Sequence, residues 1–96
     1  MASVIVMPTA ERNLNDLIES HSLPESTRER FRQSLEPLRR FPLVGAPLGG
    51  RWAGLRFILG PWGWMIVVYR YREERDAVEI ITIRDGRSAR APRTSG

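Results

Sequence analysis

The hydrophobic period of this chain changes once, from that of a helix to that of a strand, across a proline- and glycine-rich stretch between Pro42 and Gly50. Before that stretch, Leu14, Leu17 and Ile18 recur at i, i+3, i+4, and Phe31, Leu35 and Leu38 at i, i+4, i+7. Such spacings line one side of an α-helix. After it come three short runs of β-branched and aromatic residues, Leu55–Leu59, Trp64–Arg70 and Ala77–Arg84, separated by turn formers. A chain of 96 residues holds one domain with a thin core. The two halves must therefore bury their apolar faces against each other, which selects an α+β layer.

The remaining punctuation fills in the order of elements. Ser3 to Met7 is short, β-branched and stopped by Pro8, and reads as a strand. Thr9 is placed to cap the helix that follows. Ser22, Pro24 and Glu25 read as a second helix start with a capping box. Pro37 must kink or end that second helix, because it lacks an N–H and clashes with the preceding turn. A short link between the helices makes them an antiparallel hairpin. Gly60-Pro61-Trp62-Gly63 and Glu73-Glu74-Arg75-Asp76 are the turns of the later half. The expected fold is a short N-terminal strand, a helical hairpin and a three-stranded antiparallel sheet (β-α-α-β-β-β), with the helices on one face. The Trp64–Arg70 run is apolar on both sides, as a central strand would be. Residues 1–88 are expected to form the domain and residues 89–96 a disordered tail.

Composition removes several kinds of chemistry. The chain has no cysteine, so it has no disulfide, thiolate metal site or cysteine nucleophile. His21 is the one histidine, which excludes a multi-histidine zinc site and any catalysis needing two imidazoles. Its place at a helix end, far in sequence from the strands, reads as a surface histidine. All 15 cationic residues are arginine and the net charge is +4. No lysine is present to act as a base or Schiff-base nucleophile. No apolar run reaches the roughly 18 residues of a membrane helix. The N-terminus lacks the basic start and apolar stretch of a signal peptide. The expectation is a cytosolic protein with no membrane partner, metal or small-molecule cofactor.

Arginine suits bidentate contact with phosphate or carboxylate. Arg56 lies on the first hairpin strand. Val78, Ile80, Thr82 and Arg84 alternate along one side of the last, and Arg87 follows it. Arg51 and Trp52 lie on the approach to the sheet. If Arg56 and Arg84 point the same way, they flank a groove on the sheet face away from the helices, with aromatic neighbours on which bases could stack. The competing reading is that these arginines are solvated or paired with Glu73, Glu74, Asp76 or Glu79. The Pro42–Gly50 loop has glycines but no Gly-Lys-Ser/Thr ending, and reads as a crossover rather than a phosphate cradle. Tyr69 and Tyr71 read as packing residues.

The ordered set of segments resembles the RelE/ParE toxin superfamily of bacterial type II toxin–antitoxin systems. A strand leads into a Leu-rich helical hairpin. Then come Phe41-Pro42-Leu43-Val44-Gly45, Gly54-Leu55-Arg56, the Val67-Val68-Tyr69-Arg70-Tyr71 strand, and Val78 through Arg84-Asp85-Gly86-Arg87. The resemblance implies a small cytoplasmic stress-response toxin neutralised by a cognate antitoxin. RelE-like members cut messenger RNA on the ribosome, and ParE-like members poison DNA gyrase. Carried over residue by residue, Arg56 stands where RelE-like nucleases hold a phosphate-binding arginine. Either Arg84 or Arg87 matches the arginine after the last strand. These three are the candidate catalytic residues, and with Arg51 and Trp52 they make up the candidate partner or nucleic-acid contacts. Ala46 and Pro47 stand where some relatives have glutamate, and the ending has neither the Tyr nor the His of the nucleases. The ending is closer to the ParE-like pattern. A ribosome-dependent RNA cleavage enzyme is the alternative, and a non-toxic binding module a further one.

Overall fold

The computed structural model describes residues 1–87. The chain enters as β1 (Ser3–Val6) and turns directly into α1 (Pro8–Ser20), with Pro8 in the first turn where its missing N–H costs nothing. Because Pro8 begins the helix, Met7 occupies the N-cap and no side chain caps it. Thr9 lies two residues past the N-cap, and its Oγ1 accepts a hydrogen bond from Arg12 instead.

The second helix also starts later than its expected capping box. Ser22 adopts φ +50°, and Leu23 N–H donates back to Ile18 O at 3.0 Å. Ser22 thus closes α1 rather than opening the next helix. α2 (Thr27–Ser34) is entered from Ser26 without a side-chain cap. It stops short of Pro37, and a separate turn, α3 (Pro37–Arg40), begins on that proline. The missing N–H of Pro37 cannot continue the α2 ladder but is harmless at a helix start.

The sheet is larger than the three strands expected and is mixed. β2 (Ala46–Pro47), β3 (Arg56–Leu59), β4 (Met65–Arg72) and β5 (Ala77–Asp85) join β1 in the order β1-β5-β4-β3-β2. β1 runs parallel to β5, with Val4 opposite Val78 and Val6 opposite Ile80. The helices between β1 and β3 provide the crossover that a parallel pair requires. β2 adds two residues to the edge inside the proline-glycine loop, pairing Pro47 with Arg56. β4 is the central strand, as its two-sided apolarity implied. Met65, Val67, Val68 and Tyr69 are all fully buried.

The last strand does not alternate as a regular strand would. Val68 pairs with Thr82 but the next residue, Tyr69, pairs with Ile80, which leaves Ile81 outside the ladder. This bulge flips the parity beyond it. Val78, Ile80 and Ile83 therefore all join the core, rather than Val78, Ile80, Thr82 and Arg84 sharing one side. The core is closed by Ala10 and Leu14 of α1, by Phe31 of α2, and by Leu35 and Leu38 around α3, packed on Met65, Val67 and Tyr69. Where β1 has ended, Asn13 of α1 takes its place beside β5. Asn13 Oδ1 accepts from Thr82 Oγ1 at 2.6 Å and from Ile83 N–H at 3.2 Å. Among the described residues no helix is long and apolar enough to cross a membrane. The expected tail, residues 89–96, lies outside the described residues.

Candidate functional site

Strand register decides where the candidate arginines point. Residues paired across antiparallel strands share a face. Arg56 pairs with Tyr69, and Arg84 with Ile66. Tyr69 and Ile66 lie three apart on one regular strand, so they face opposite ways. Arg56 and Arg84 therefore do not converge, and the groove they would have flanked does not form.

Arg56 lies on the core side and turns toward the loop after α3. Its Nη1 donates to Gly45 O at 2.8 Å and to Leu43 O at 3.2 Å. Beside it, Tyr69 Oη accepts from Gly45 N–H at 2.9 Å. Burial holds the Tyr69 hydroxyl protonated by raising its pKa, against the opposing pull of the Gly45 bond and the Arg56 charge. Gly45 is required for closeness rather than for its dihedral angles. A Cβ there would lie 2.6 Å from Phe57 O and 2.7 Å from the Tyr69 ring and hydroxyl. One guanidinium and one phenol thus fix the backbone of residues 43–45.

Arg87 sits at the other end of β4, just beyond the pairing of Met65 with Asp85. Its Nε and Nη2 donate to the two Asp85 oxygens at 2.9 and 2.8 Å, the bidentate fork of arginine on a carboxylate. The guanidinium also lies 4.8 Å from the centre of the Trp64 ring. His21, at the end of α1, stacks on Trp64 at 4.8 Å and brings Nε2 to 3.0 Å from Asp85 Oδ2. Its Nδ1 lies 2.9 Å from Ser20 Oγ. Arg87, assisted by its own backbone N–H and by His21, holds the Asp85 carboxyl far below the usual range. The same pairing raises the Arg87 guanidinium.

His21 is far in sequence from the strands, yet the fold brings it to the end of β5. The missed signal is non-local: α1 runs along β5 in the same direction, meeting Thr82 and Ile83 through Asn13, and so carries its C-terminus to the strand's end. Of the other candidates, Arg51 lies over its neighbour Trp52 at 5.9 Å and makes no ion pair among the described residues. Arg84 is exposed and makes no ion pair among the described residues. Two arginines outside the candidate set are paired instead. Arg70 and Arg72 both donate to Glu79 Oε1, at 2.9 to 3.2 Å, on the face away from the core. They hold the Glu79 carboxyl below its ordinary value, Arg70 more than Arg72. Trp62 packs under Arg30 of α2 at 5.3 Å, so it braces a helix rather than presenting a face to a base.

The chain is similar in fold to solved toxins. It matches the RelBE2 toxin–antitoxin complex of Mycobacterium tuberculosis at 28% identity, with a TM-score of 0.60, covering 88% of this chain and 96% of that one. The isolated Escherichia coli RelE toxin matches at 15% identity and a TM-score of 0.64, covering 94% of this chain and 89% of that one. The toxin–antitoxin complex of E. coli RelBE matches at 18% identity and a TM-score of 0.56, covering 86% and 94%. No curated protein matches the chain in sequence. Residues 4–90 match the family model described as the ParE toxin of the type II toxin–antitoxin system parDE. The chain belongs to that family of type II toxins, within the RelE/ParE superfamily.

Proposed function

We propose that this toxin is neutralised by a cognate antitoxin and inhibits growth through a protein contact with DNA gyrase, as the ParE-like resemblance implies. The observation that carries this reading is the disposition of the arginines. A nuclease of the RelE type needs cations converging on one phosphate, with an acid and a base alongside. Here Arg56 is engaged by two backbone carbonyls and faces away from Arg84, and Arg87 is engaged by Asp85. What stays exposed is a set of separate arginines on a +4 chain, which favours an anionic protein partner over a shaped phosphate site. Two of the similar solved structures are toxin–antitoxin complexes, which supports an antitoxin here.

Ribosome-dependent messenger RNA cleavage gains one group from the fold, His21. Both of its ring nitrogens are within hydrogen-bonding distance of protein partners, Ser20 Oγ and Asp85 Oδ2, which suits a strut better than a proton carrier. The deciding experiment adds purified toxin to a gyrase supercoiling assay and maps transcript 5′ ends after induction in cells. Loss of supercoiling activity with an unchanged 5′-end map is the expected result. New 5′ ends at codon-spaced positions, abolished by His21→Ala or Arg87→Ala while gyrase works normally, would move the protein to the nuclease reading.

A further inference from the structure

The loop that Arg56 and Tyr69 hold in place presents apolar side chains to solvent. Phe41 is 63% exposed, Leu43 56% and Val44 60%. Single exposed apolar residues are common on any surface, but three large ones within four positions form a patch, and such patches mark docking sites. With Pro42 and Tyr71 they line an open apolar depression of about 380 Å³. The exposed Met1 lies at the same end, because Ala2 N–H donates to Arg39 O at 2.8 Å.

This patch is not a loose loop that happens to be greasy. Gly45 is bound through both its N–H and its carbonyl, Leu43 through its carbonyl, and Val44 N–H closes a turn onto Phe41 O at 3.0 Å. A partner would find the backbone that carries these side chains already ordered, so the cost of immobilising that loop is met in folding. The hydrogen bonds that fix the backbone come from beneath, leaving the outer surface entirely apolar.

The charges at its rim identify the occupant. Arg40, directly before Phe41, is exposed and makes no ion pair or hydrogen bond among the described residues. The Arg39 side chain pairs, among the described residues, only with Glu36, an exposed i,i+3 contact at 3.3 Å. A second copy of this chain would bring Arg40 and Arg39 against their own images, and like charges at an interface oppose association. An amphipathic segment with acidic residues beside its apolar face satisfies both parts of the surface. We propose that the Phe41–Val44 patch, with Arg40 at its rim, is where an acidic amphipathic segment of the antitoxin docks. This assignment rests on the reading that the chain is neutralised by an antitoxin.

The test measures Kd of purified toxin for the purified antitoxin encoded in the adjoining reading frame, and scores growth arrest separately. Two variants are compared with the parent: Leu43→Ser with Val44→Ser, and Arg40→Glu. Both should weaken binding by roughly tenfold or more, with unchanged circular dichroism. The Arg40→Glu protein should also show a shallower dependence of Kd on salt. The Arg40 side chain makes no ion pair or hydrogen bond among the described residues, so that variant decides the matter even if the double variant is misfolded. A parent that binds antitoxin and arrests growth, with both variants binding unchanged, overturns the site and leaves the toxin reading standing. A double variant that binds antitoxin normally but no longer arrests growth gives the patch to the toxin's target and also overturns it. A parent that neither binds nor arrests growth sinks both the reading and the site that rests on it.

Discussion

Arg56 and Arg87 lie at opposite ends of the central strand β4, one turned inward onto backbone carbonyls, the other turned outward onto a carboxylate and an indole. Arg56 acts on its own chain. It and Tyr69 complete the hydrogen bonding of a loop that has no ladder of its own, and the loop then displays Phe41, Leu43 and Val44. Arg87 belongs to a mostly polar cluster, with Asp85, His21 and Trp64, that ties the end of α1 to the end of β5. The same residue type is a backbone staple in one place and a surface ion-pair partner in the other. What separates the two roles is the partner: a carbonyl lacking a strand neighbour gains much from a donor, whereas the partly exposed Asp85 carboxylate keeps some of its own solvation.

The widest gap between the two ends is expected at Gly45. Gly45→Ala forces a Cβ to within 2.6 Å of Phe57 O, a backbone atom that cannot swing aside. Overpacking of this kind costs roughly 1–3 kcal/mol, read as a lower urea midpoint. A midpoint equal to the parent's would mean that the loop is not clamped against β3 and β4.

Arg56→Ala comes next. Losing two charge-assisted bonds at a half-exposed site should cost about 1–2 kcal/mol and speed hydrogen exchange at residues 43–45. Arg56→Lys should recover only part of this, since an ammonium on a flexible stem does not reproduce the planar fork. Tyr69→Phe sharpens the same point. It keeps the buried ring but removes the acceptor for Gly45 N–H, for about 1 kcal/mol. If Arg56 and Tyr69 act on one loop, the double variant should cost less or more than the two singles summed, and strict additivity would argue against a shared clamp.

At the other end, Arg87→Ala should change stability by less than about 1 kcal/mol, as exposed ion pairs do. A larger loss than that of Arg56→Ala would reverse the comparison.

The smallest effect is in the dependence on pH. Asp85 and Glu79 both have folded-state pKa values below their unfolded ones, Asp85 through Arg87 first and Glu79 through Arg70 first. A depressed carboxylate contributes stability that is present above the unfolded pKa and is lost as pH falls through the folded one. Urea midpoints should therefore drop from about pH 5 downward, and Asp85→Asn or Glu79→Gln should each flatten that decline. An acid limb as steep in Asp85→Asn as in the parent would remove the Arg87 pairing from the solution structure.

How far the site was legible from sequence differs between its two ends. Phe41-Pro42-Leu43-Val44-Gly45 stands out in the linear pattern, yet its partners are 11 to 24 positions away and meet it only through the β3–β4 pairing. His21 and Asp85 are 64 positions apart, and nothing local to either one announces the other. The capping signals at Thr9 and at Ser22 with Glu25 were misleading for a related reason. Pro8 and the left-handed turn at Ser22 reset the helix starts by a few residues.

By itself the sequence determined the single change of period, and with it the order of strand, helices and strands. It also determined the two-sided burial of β4, the break at Pro37 and the lysine-free chemistry. All of these follow from local spacing and from residues with one dominant conformational or chemical trait. Only the tertiary structure decided that β1 runs parallel to β5 and that β2 extends the sheet. It alone decided that Ile81 bulges out of the ladder, and that Arg56 and Arg84 face opposite ways. The physical reason is that strand pairing is made by non-local backbone hydrogen bonds, and side-chain direction by strand parity. One extra residue, or one slip in register, reverses every side chain beyond it without leaving a mark in composition or period.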